Sequence, residues 1–128
     1  LNNSELRIIK NDAFSNSSLV KFAIPKSVIQ IESYSFSYCY SLKKISVDDE
    51  SELQIIDKYA FANSAITSFS ITSKVTNIEN SAFCNCNNLR IVEVHVNNLE
   101  LRTINKGAFQ NIKNISILVP ANFKILIK

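Results

Sequence analysis

Phenylalanine returns along this chain at a nearly constant interval, and that repetition restricts the possible folds more than any other feature. Successive copies are 22, 25, 22 and 26 residues apart, at Phe14, Phe36, Phe61, Phe83 and Phe109. An isoleucine lies five positions before each of them, at Ile9, Ile31, Ile56, Ile78 and Ile104. A unit of this length cannot bury its own apolar face, whereas stacked units bury one another. The sequence therefore predicts a repeat solenoid in which the phenylalanine and isoleucine columns form the core.

Two further columns of matched residues share this period. A small residue directly precedes each phenylalanine: Ala13, Ser35, Ala60, Ala82 and Ala108. Two positions after the phenylalanine the column reads Asn16, Tyr38, Asn63, Asn85 and Asn111. We interpret the small residues as points where neighbouring repeats approach closely, and the asparagines as inward amides that pair backbone groups at a bend. Because the chain has a single glycine, we also expect asparagine, serine and aspartate to supply the bends, since asparagine tolerates left-handed conformations.

A segment that alternates apolar and polar residues follows each phenylalanine, and this alternation predicts one strand per repeat. The predicted strands are 20–24, 43–47, 67–71, 90–94 with a continuation to residue 96, and 114–119. In the first strand, Phe22 and Ile24 would face the core while Lys21 and Ala23 face outward. Equivalent strands would align as a parallel sheet in front of the phenylalanine and isoleucine columns.

The repeats predict one domain, 1–128, which we expect to be a fragment of a longer array; a start partway into a repeat would fit either a mature chain or an excised fragment. The predicted repeat limits are 6–27, 28–52, 53–74, 75–100 and 101–120, with a tail at 121–128. The last strand has two possible registers, with either Ile115 and Leu118 or Ile117 and Val119 pointing inward. The apolar tail, which includes Phe123, would either cap the stack or pair with a further unit.

Charge and hydropathy disfavour several functions. The net charge is +3, without a basic stripe interleaved with aromatic residues, so nucleic acid is not an expected partner. No apolar run reaches the roughly 18 residues of a membrane helix, so we expect no membrane insertion in this segment. The sequence has no glycine-rich phosphate loop and no convergent set of titratable groups, and we therefore expect no cofactor and no catalytic residue. The sequence leaves the oligomeric state open.

Two clusters could in principle hold a metal ion. Cys84, Cys86 and His95 would supply three ligands, but a fourth is missing and the two thiols should point to different sides. The acidic run 48–52 lacks the spacing of a known calcium loop, so we interpret it as a solvated connection. Cys39 lies two repeats from Cys86, roughly 10 Å away, which is beyond disulfide reach. We therefore expect all three cysteines to be small buried thiols, and no metal site.

The repeated motif resembles that of a known family. The motif V-x-x-I-x-x-x-A-F-x-x-C-x-x-L-x-x-I-x-I-P is similar to the BspA-like, or Treponema-type, leucine-rich repeat, and residues 6–120 follow it. The segment 75–94, VTNIENSAFCNCNNLRIVEV, is a close match. The chain departs from the family where a glycine follows the first isoleucine: Lys10, Glu32, Asp57, Glu79 and Asn105 replace it. The cysteine position of the motif holds only in repeats two and four.

This resemblance implies a curved, mainly β, right-handed coil of about five leucine-rich repeats with a parallel sheet on its concave face. It also implies an extracellular or cell-surface location, because such proteins are typically secreted or surface-exposed. The implied function is that of a non-catalytic protein-binding module that adheres to host, matrix or cell-surface proteins. The alternative is a structural spacer within a longer array, and an enzyme or small-ligand binder is the least favoured reading.

Outward side chains of the predicted sheet form the candidate binding surface. They are mostly small and polar, without the aromatic anchor that often dominates an interface. The columns are Lys21, Lys44, Ser68 and Ile91, then Ala23, Ser46, Ser70 and Glu93, then Asp48, Thr72 and His95. We predict that the partner contacts, all on the concave face, come from Lys21, Lys44, Ser46, Ser68, Ser70, Ile91, Glu93 and His95.

Overall fold

The computed structural model describes residues 5–95, 97–98, 101, 103–105, 107–121 and 126–127. Every strand pairing in it is parallel. The two-residue strands are β1 (Ile8–Ile9), β3 (Gln30–Ile31), β5 (Ile55–Ile56), β7 (Asn77–Ile78), β9 (Thr103–Ile104) and β11 (Leu126–Ile127). The longer strands are β2 (Lys21–Ile24), β4 (Lys44–Val47), β6 (Ser68–Ile71), β8 (Ile91–Val94) and β10 (Ser116–Leu118). The fold is therefore the parallel β-solenoid of about five turns that the repeats predict.

The short strands form one continuous sheet, whereas the longer strands form two separate sheets. The short strands make one six-stranded sheet in the order β1-β3-β5-β7-β9-β11. The longer strands divide into a pair, β2-β4, and a triplet, β10-β8-β6. The first four longer strands begin one residue later than predicted, and β8 ends at Val94; residue 96, in its predicted continuation, lies outside the described residues. The solvent-facing side of the longer strands is called the long-strand face below.

The register of the last repeat follows from its pairing with β8. Ile117 lies opposite Val92 and packs against the core, whereas Leu118 lies opposite Glu93 and is 48% exposed. Of the two registers left open by the sequence, the pairing selects the one with Ile117 inward and excludes the one with Leu118 inward, although Ile115 also packs against the core. Val119 is exposed as well. In a parallel sheet, residues paired in register on neighbouring strands face the same side. The pairing with β8 therefore fixes which side chains of β10 face the core, which the sequence of the last repeat leaves open.

A continuous column of aromatic rings runs through the stack. Successive rings of Phe14, Phe36, Phe61, Phe83 and Phe109 have centroids 5.2, 5.1, 5.2 and 5.4 Å apart. The three central rings are fully buried, while the rings at the two ends are partly buried. The isoleucine column, which is also buried, consists of Ile9, Ile31, Ile56, Ile78 and Ile104. Burying one phenylalanine stabilises the fold by about 1.5–3 kcal/mol, so this column is a main source of stability.

Two positions before and two positions after phenylalanine, the backbone turns through left-handed residues. Their φ angles lie between 57° and 65°, at Asp12, Asn16, Tyr34, Tyr38, Tyr59, Asn63, Ser81, Asn85 and Asn111. The turns also bond to one another: the N–H of Phe61 donates to the carbonyl oxygen of Ala82 at 2.8 Å, and that of Phe83 to Ala108 at 2.7 Å. Both alanines are fully buried. The predicted close approach of neighbouring repeats at the small residues is thus confirmed.

The asparagine column has a different role from the predicted one. Asn16 and Asn111 are exposed, and the Asn111 amide Nδ2 donates to Oδ1 of Asn85 at 2.9 Å rather than to a core group. The prediction of inward amides is therefore wrong. The left-handed backbone explains the residue type instead, because asparagine adopts this conformation more readily than most residues. Asp12 and Ser81 occupy the other left-handed column. Short polar residues therefore supply six of the nine described left-handed positions, and tyrosines, which were not expected there, supply the other three.

The last described residues continue the short-strand sheet. Leu126–Ile127 pairs in parallel with Thr103–Ile104, while Phe123 of the same tail lies outside the described residues. Within the described ranges, no helix has the length and apolar character needed to cross a membrane.

Candidate binding surface

The long-strand face places seven of the eight predicted contact residues on exposed strand positions. Strand register sets Lys21 beside Lys44, Ser68 beside Ile91, and Ser70 beside Glu93. These residues and Ser46 are exposed, because each alternates with a side chain that faces the core. The eighth residue, His95, follows β8 and is only partly exposed.

Two lysines lie side by side at the β2-β4 end of this face. Neighbouring strands are about 4.8 Å apart, and among the described residues no carboxylate lies within 4.0 Å of either Lys21 or Lys44. An open groove of about 430 Å³ lies along them, lined also by Phe22, Ala23 and Ser46. Like charges in register repel each other. This end of the face therefore has a positive potential that an acidic ligand group would neutralise.

The β6-β8-β10 part of the face has a different character. Ile91 is 46% exposed and is flanked in register by Ser68 and Ser116. Glu93 lies beside Ser70 on one side and beside the exposed Leu118 on the other. Small hydroxyls, isolated aliphatic groups and one carboxylate give a surface that hydrogen bonds and van der Waals contacts could use, but it has no concentrated charge.

His95 is held by its own loop and by the acidic loop. Its Nδ1 accepts a hydrogen bond from the backbone N–H of Asn97 at 3.1 Å. Its Nε2 lies 3.7 Å from Oδ1 of Asp49. Both contacts hold His95 against loops, so it lies at the edge of the long-strand face.

The third predicted column is wrong at its middle residue. Thr72 is fully buried, and its hydroxyl has no hydrogen-bond partner among the described residues. The residue that covers it is Asn98, which sequence reasoning missed. The amide Nδ2 of Asn98 donates to the carbonyl oxygens of Thr72 at 2.8 Å and Val75 at 3.1 Å, and its Oδ1 accepts from the N–H of Leu101 at 2.7 Å. The signal available in the sequence was the long fourth repeat, because an inserted loop needs an anchor.

The acidic run 48–52 is a surface loop with basic neighbours. Lys26 lies 3.9 Å from Asp48 and 3.6 Å from Glu50, and Lys74 lies 2.6 Å from Glu52. Such exposed pairs contribute little to stability, typically about 0–1 kcal/mol. In the described part of the chain, no group of three or more histidine, cysteine or acidic residues has a geometry that could hold a metal ion.

All three cysteines are buried free thiols, as predicted. The thiols of Cys39 and Cys86 donate to the carbonyl oxygens of Phe14 at 3.1 Å and Phe61 at 3.0 Å, each one repeat back. Burial raises the pKa of Cys86 to about 11, and burial also raises the pKa of Cys84. Thiols with raised pKa values stay protonated at neutral pH, which makes them poor nucleophiles and poor metal ligands.

The tyrosines form an aromatic surface that sequence reasoning missed. The chain has four of them, all between residues 34 and 59, and all are exposed. The rings of Tyr34 and Tyr59 stack 5.1 Å apart, and those of Tyr38 and Tyr40 meet edge to face at 6.1 Å. Tyr34, Tyr38 and Tyr59 have φ near 60°, a conformation unusual for bulky residues. The available signal was Tyr38 itself, the exception in the asparagine column.

These features define the chain as a leucine-rich-repeat β-solenoid with a broad exposed sheet. A family model, the BspA type leucine-rich repeat region, matches residues 7–127 in six copies. The chain therefore belongs to the BspA-type leucine-rich repeat family. No curated protein matches the sequence.

Solved structures resemble the chain in fold. The pneumococcal vaccine antigen PcpA superposes with a TM-score of 0.71 at 16% identity, covering 93% of this chain and 35% of PcpA. A leucine-rich cell surface protein from Faecalibacterium prausnitzii superposes with a TM-score of 0.53 at 20% identity, covering 91% of this chain and 40% of that protein. The chain thus spans 35–40% of the length of these two structures. At these identities the likeness establishes the fold.

Proposed function

We propose that this chain is a non-catalytic protein-binding module of a secreted or cell-surface protein, and that it adheres to a host, matrix or cell-surface protein through the long-strand face. Repeat solenoids commonly bind through such extended surfaces. The location is supported by the BspA-type family and by the structural neighbour described as a cell surface protein. The ligand segment we propose is acidic.

The observation that carries this proposal is the lysine pair. Lys21 and Lys44 are exposed, lie in register, and have no described carboxylate within 4.0 Å. Elsewhere, Lys26 and Lys74 are already paired with the acidic loop. A carboxylate from a partner would relieve the repulsion between the two ammonium groups and would steer association at low ionic strength. Ser46 and the groove beside it would then contact the flanking part of the ligand.

The test is a binding assay on immobilised extracellular-matrix proteins and intact host cells with the Lys21→Glu/Lys44→Glu double variant. The matched control is Lys10→Glu/Lys58→Glu, which makes the same charge change at two exposed lysines away from the long-strand face. We expect saturable wild-type binding that weakens with salt, is lost in the first variant and persists in the second. Binding that survives the first variant, or that both variants lose equally, would contradict this site.

A second candidate is a structural spacer within a longer array, favoured by the two ends of the stack. Leu6 in the first repeat is 43% exposed and Val119 in the last is 44% exposed, whereas Leu53 and Ile71, at the same two positions of the third repeat, are fully buried. Further repeats would cover such residues. A spacer would bind no partner in the assay above and would respond to neither lysine variant.

A further inference from the structure

A second surface, separate from the long-strand face, has the features of a binding site. It is an open groove of about 260 Å³ that crosses repeats two, three and four, just after the buried phenylalanines. Its lining includes Tyr40, Asn63, Ala65, Asn85, Asn87 and Asn88. None of the lining residues carries a charge.

Unequal repeat lengths create this groove. The aliphatic residue that follows phenylalanine comes six positions later in repeats two and four, at Leu42 and Leu89, but five positions later in repeat three, at Ile66. In the longer repeats the extra residue completes a turn: the N–H of Leu42 donates to Cys39 O at 3.1 Å, and that of Leu89 to Cys86 O at 3.0 Å. Repeat three has no turn at the equivalent position. Its chain therefore recedes between two walls that are two strand spacings, roughly 10 Å, apart.

The walls and the floor of the groove differ in chemistry. Tyr40 forms one wall, with its side chain 69% exposed, and Asn87 and Asn88 belong to the turn that forms the other wall. Ala65, the residue of repeat three that lies between them, has a side chain too small to fill the space. The edge-to-face contact with Tyr38, at 6.1 Å and 63°, supports the Tyr40 ring. Tyr38 has φ at 57°, where the other repeats have asparagine, so its ring is supplied from a backbone conformation that is unfavourable for a bulky residue.

The amides of the groove are available to a ligand. Asn85 Oδ1 already accepts from Asn111. The side chains of Asn63, Asn87 and Asn88 have no hydrogen-bond partner within the described ranges of the chain. Each amide offers a carbonyl acceptor next to a two-hydrogen donor. A hydrogen-bond acceptor next to a donor complements two adjacent hydroxyl groups, because each hydroxyl both donates and accepts a hydrogen bond.

We propose that this groove binds a neutral glycan, with one hexose unit against the face of Tyr40 and its hydroxyls on the asparagine amides. The electron-rich face of an aromatic ring attracts the polarised C–H groups of a sugar. A volume of 260 Å³ corresponds to roughly nine water molecules at about 30 Å³ each, which is room for one hexose. The uncharged lining favours a neutral sugar over a sialylated or sulfated one; Arg90 donates from Nη1 to the carbonyl oxygen of Asn87 at 2.6 Å but does not line the groove.

The experiment uses saturation-transfer NMR to measure binding of neutral hexoses, N-acetylhexosamines and their short oligosaccharides to the 128-residue chain. Each sugar is present at about 10 mM, because we expect a single sugar site to have a Kd near the millimolar range. Sialylated and sulfated counterparts form a second arm. The variants are Tyr40→Ala, which removes the wall, and Ala65→Gln, which fills the recess. Tyr34→Ala is the matched control, because it deletes an exposed ring outside the groove. Circular dichroism and thermal melting establish that each variant is folded.

The expected result is saturable binding of a neutral saccharide that weakens about tenfold or more in Tyr40→Ala and Ala65→Gln and persists in Tyr34→Ala. It should also persist in Lys21→Glu/Lys44→Glu, so that this result is independent of the proposed function. Three results would overturn the proposal: no neutral saccharide saturates, only anionic glycans bind, or Tyr40→Ala and Tyr34→Ala behave alike. Loss of protein binding in Ala65→Gln, without any glycan effect, would assign the groove to a protein partner instead.

Discussion

Each repeat has a segment of constant length and a segment of variable length, and the two differ in structure as well. The distance from isoleucine to phenylalanine is five residues in every copy, whereas the distance from phenylalanine to the next isoleucine is 17, 20, 17 and 21 residues. The constant segment has the left-handed residues two positions before phenylalanine and the hydrogen bonds that link these turns from one repeat to the next. The variable segment has the interrupted long-strand sheet, the acidic loop and the groove.

This difference in length suits the constant segment to stacking the repeats and the variable segment to binding a ligand. An insertion in the constant segment would shift every bond of a ladder that runs through all repeats, whereas an insertion in the variable segment only lengthens a loop, at a small entropic cost. Both surfaces proposed here to bind a ligand lie on the variable segment, because side chains and loop lengths can change there without breaking the stack. The predictions below test this division, in order of decreasing expected effect.

The largest effect is expected where the constant segment ends, in the phenylalanine column. Phe61→Ala should lower the free energy of unfolding by about 3–5 kcal/mol, because it removes a fully buried ring stacked on two others. Phe14→Ala, at a partly buried end of the column, should have a clearly smaller effect. Denaturant titration of both variants measures the difference. Equal losses would mean that the stack is not the source of stability.

A smaller but substantial effect is expected from the anchor of the variable segment. Asn98→Ala removes a donor to two carbonyl oxygens and an acceptor for one N–H, all in a buried setting. Leaving such groups unpaired costs about 1–3 kcal/mol. Asn97→Ala is the matched control, since Asn97 is exposed and contributes only its backbone N–H. If both variants unfold at the same denaturant concentration, Asn98 does not anchor this loop.

The cysteine column gives the third test, through pH. Burial raises the pKa of Cys86 in the folded state from 9.0 to about 11. A raised thiol pKa stabilises the folded state fully below pH 9, and this contribution is lost as the pH rises toward 11. The expected loss is on the order of 2 kcal/mol.

Unfolding titrations at pH 8, 9.5 and 11 under reducing conditions would measure this loss. Cys86→Ser is the matched variant, because repeats one and three have Ser17 and Ser64 at this position. We expect the serine variant to keep more of its stability between pH 9 and 11 than the wild type does. Parallel pH profiles would show that titration of Cys86 is not coupled to unfolding.

The constant segment is also where the sequence was most informative. Five copies of one spacing predict the stacked isoleucine and phenylalanine columns and the approach of neighbouring repeats at Ala82 and Ala108, because each copy tests the others, although the two-residue strands of this segment were not predicted. The same comparison led to the wrong prediction of inward amides. The repeats show that asparagine recurs at the position of Asn85, but not whether its side chain or its backbone conformation is the reason. The pairing of β10 with β8 settled the last register, which the pattern around Leu118 left open.

The variable segment could be predicted only in part. The outward columns of Lys21 and Ser68 follow from alternation, whereas the burial of Thr72 depends on Asn98, 26 residues later, in a loop without a counterpart in the other repeats. The groove depends on a one-residue difference in length between neighbouring repeats. These features depend on contacts between repeats of different length, so the sequence of one repeat does not predict them.

The smallest expected effect tests whether the left-handed column that follows phenylalanine prefers asparagine to tyrosine. Tyr38→Asn places at φ 57° the residue that the other repeats have there. A bulky residue in the left-handed conformation costs roughly 1 kcal/mol, while the edge contact with the exposed Tyr40 ring contributes about 0.5 kcal/mol or slightly more. The net change should be a stabilisation of about 0.5 kcal/mol, visible as a small rise in Tm.

The reverse exchange in the next repeat makes this prediction sharper. In a chain that already has Tyr38→Asn, Asn63→Tyr introduces the same strain, at φ 61°, with asparagine at the neighbouring positions of its column, so it should destabilise the chain by about 1 kcal/mol. Thermal unfolding of the two single variants and of the double exchange measures both signs at once. If Tyr38→Asn destabilises the protein as much as Asn63→Tyr does, Tyr38 stabilises the stack through packing. Opposite signs would mean that backbone preference governs the column.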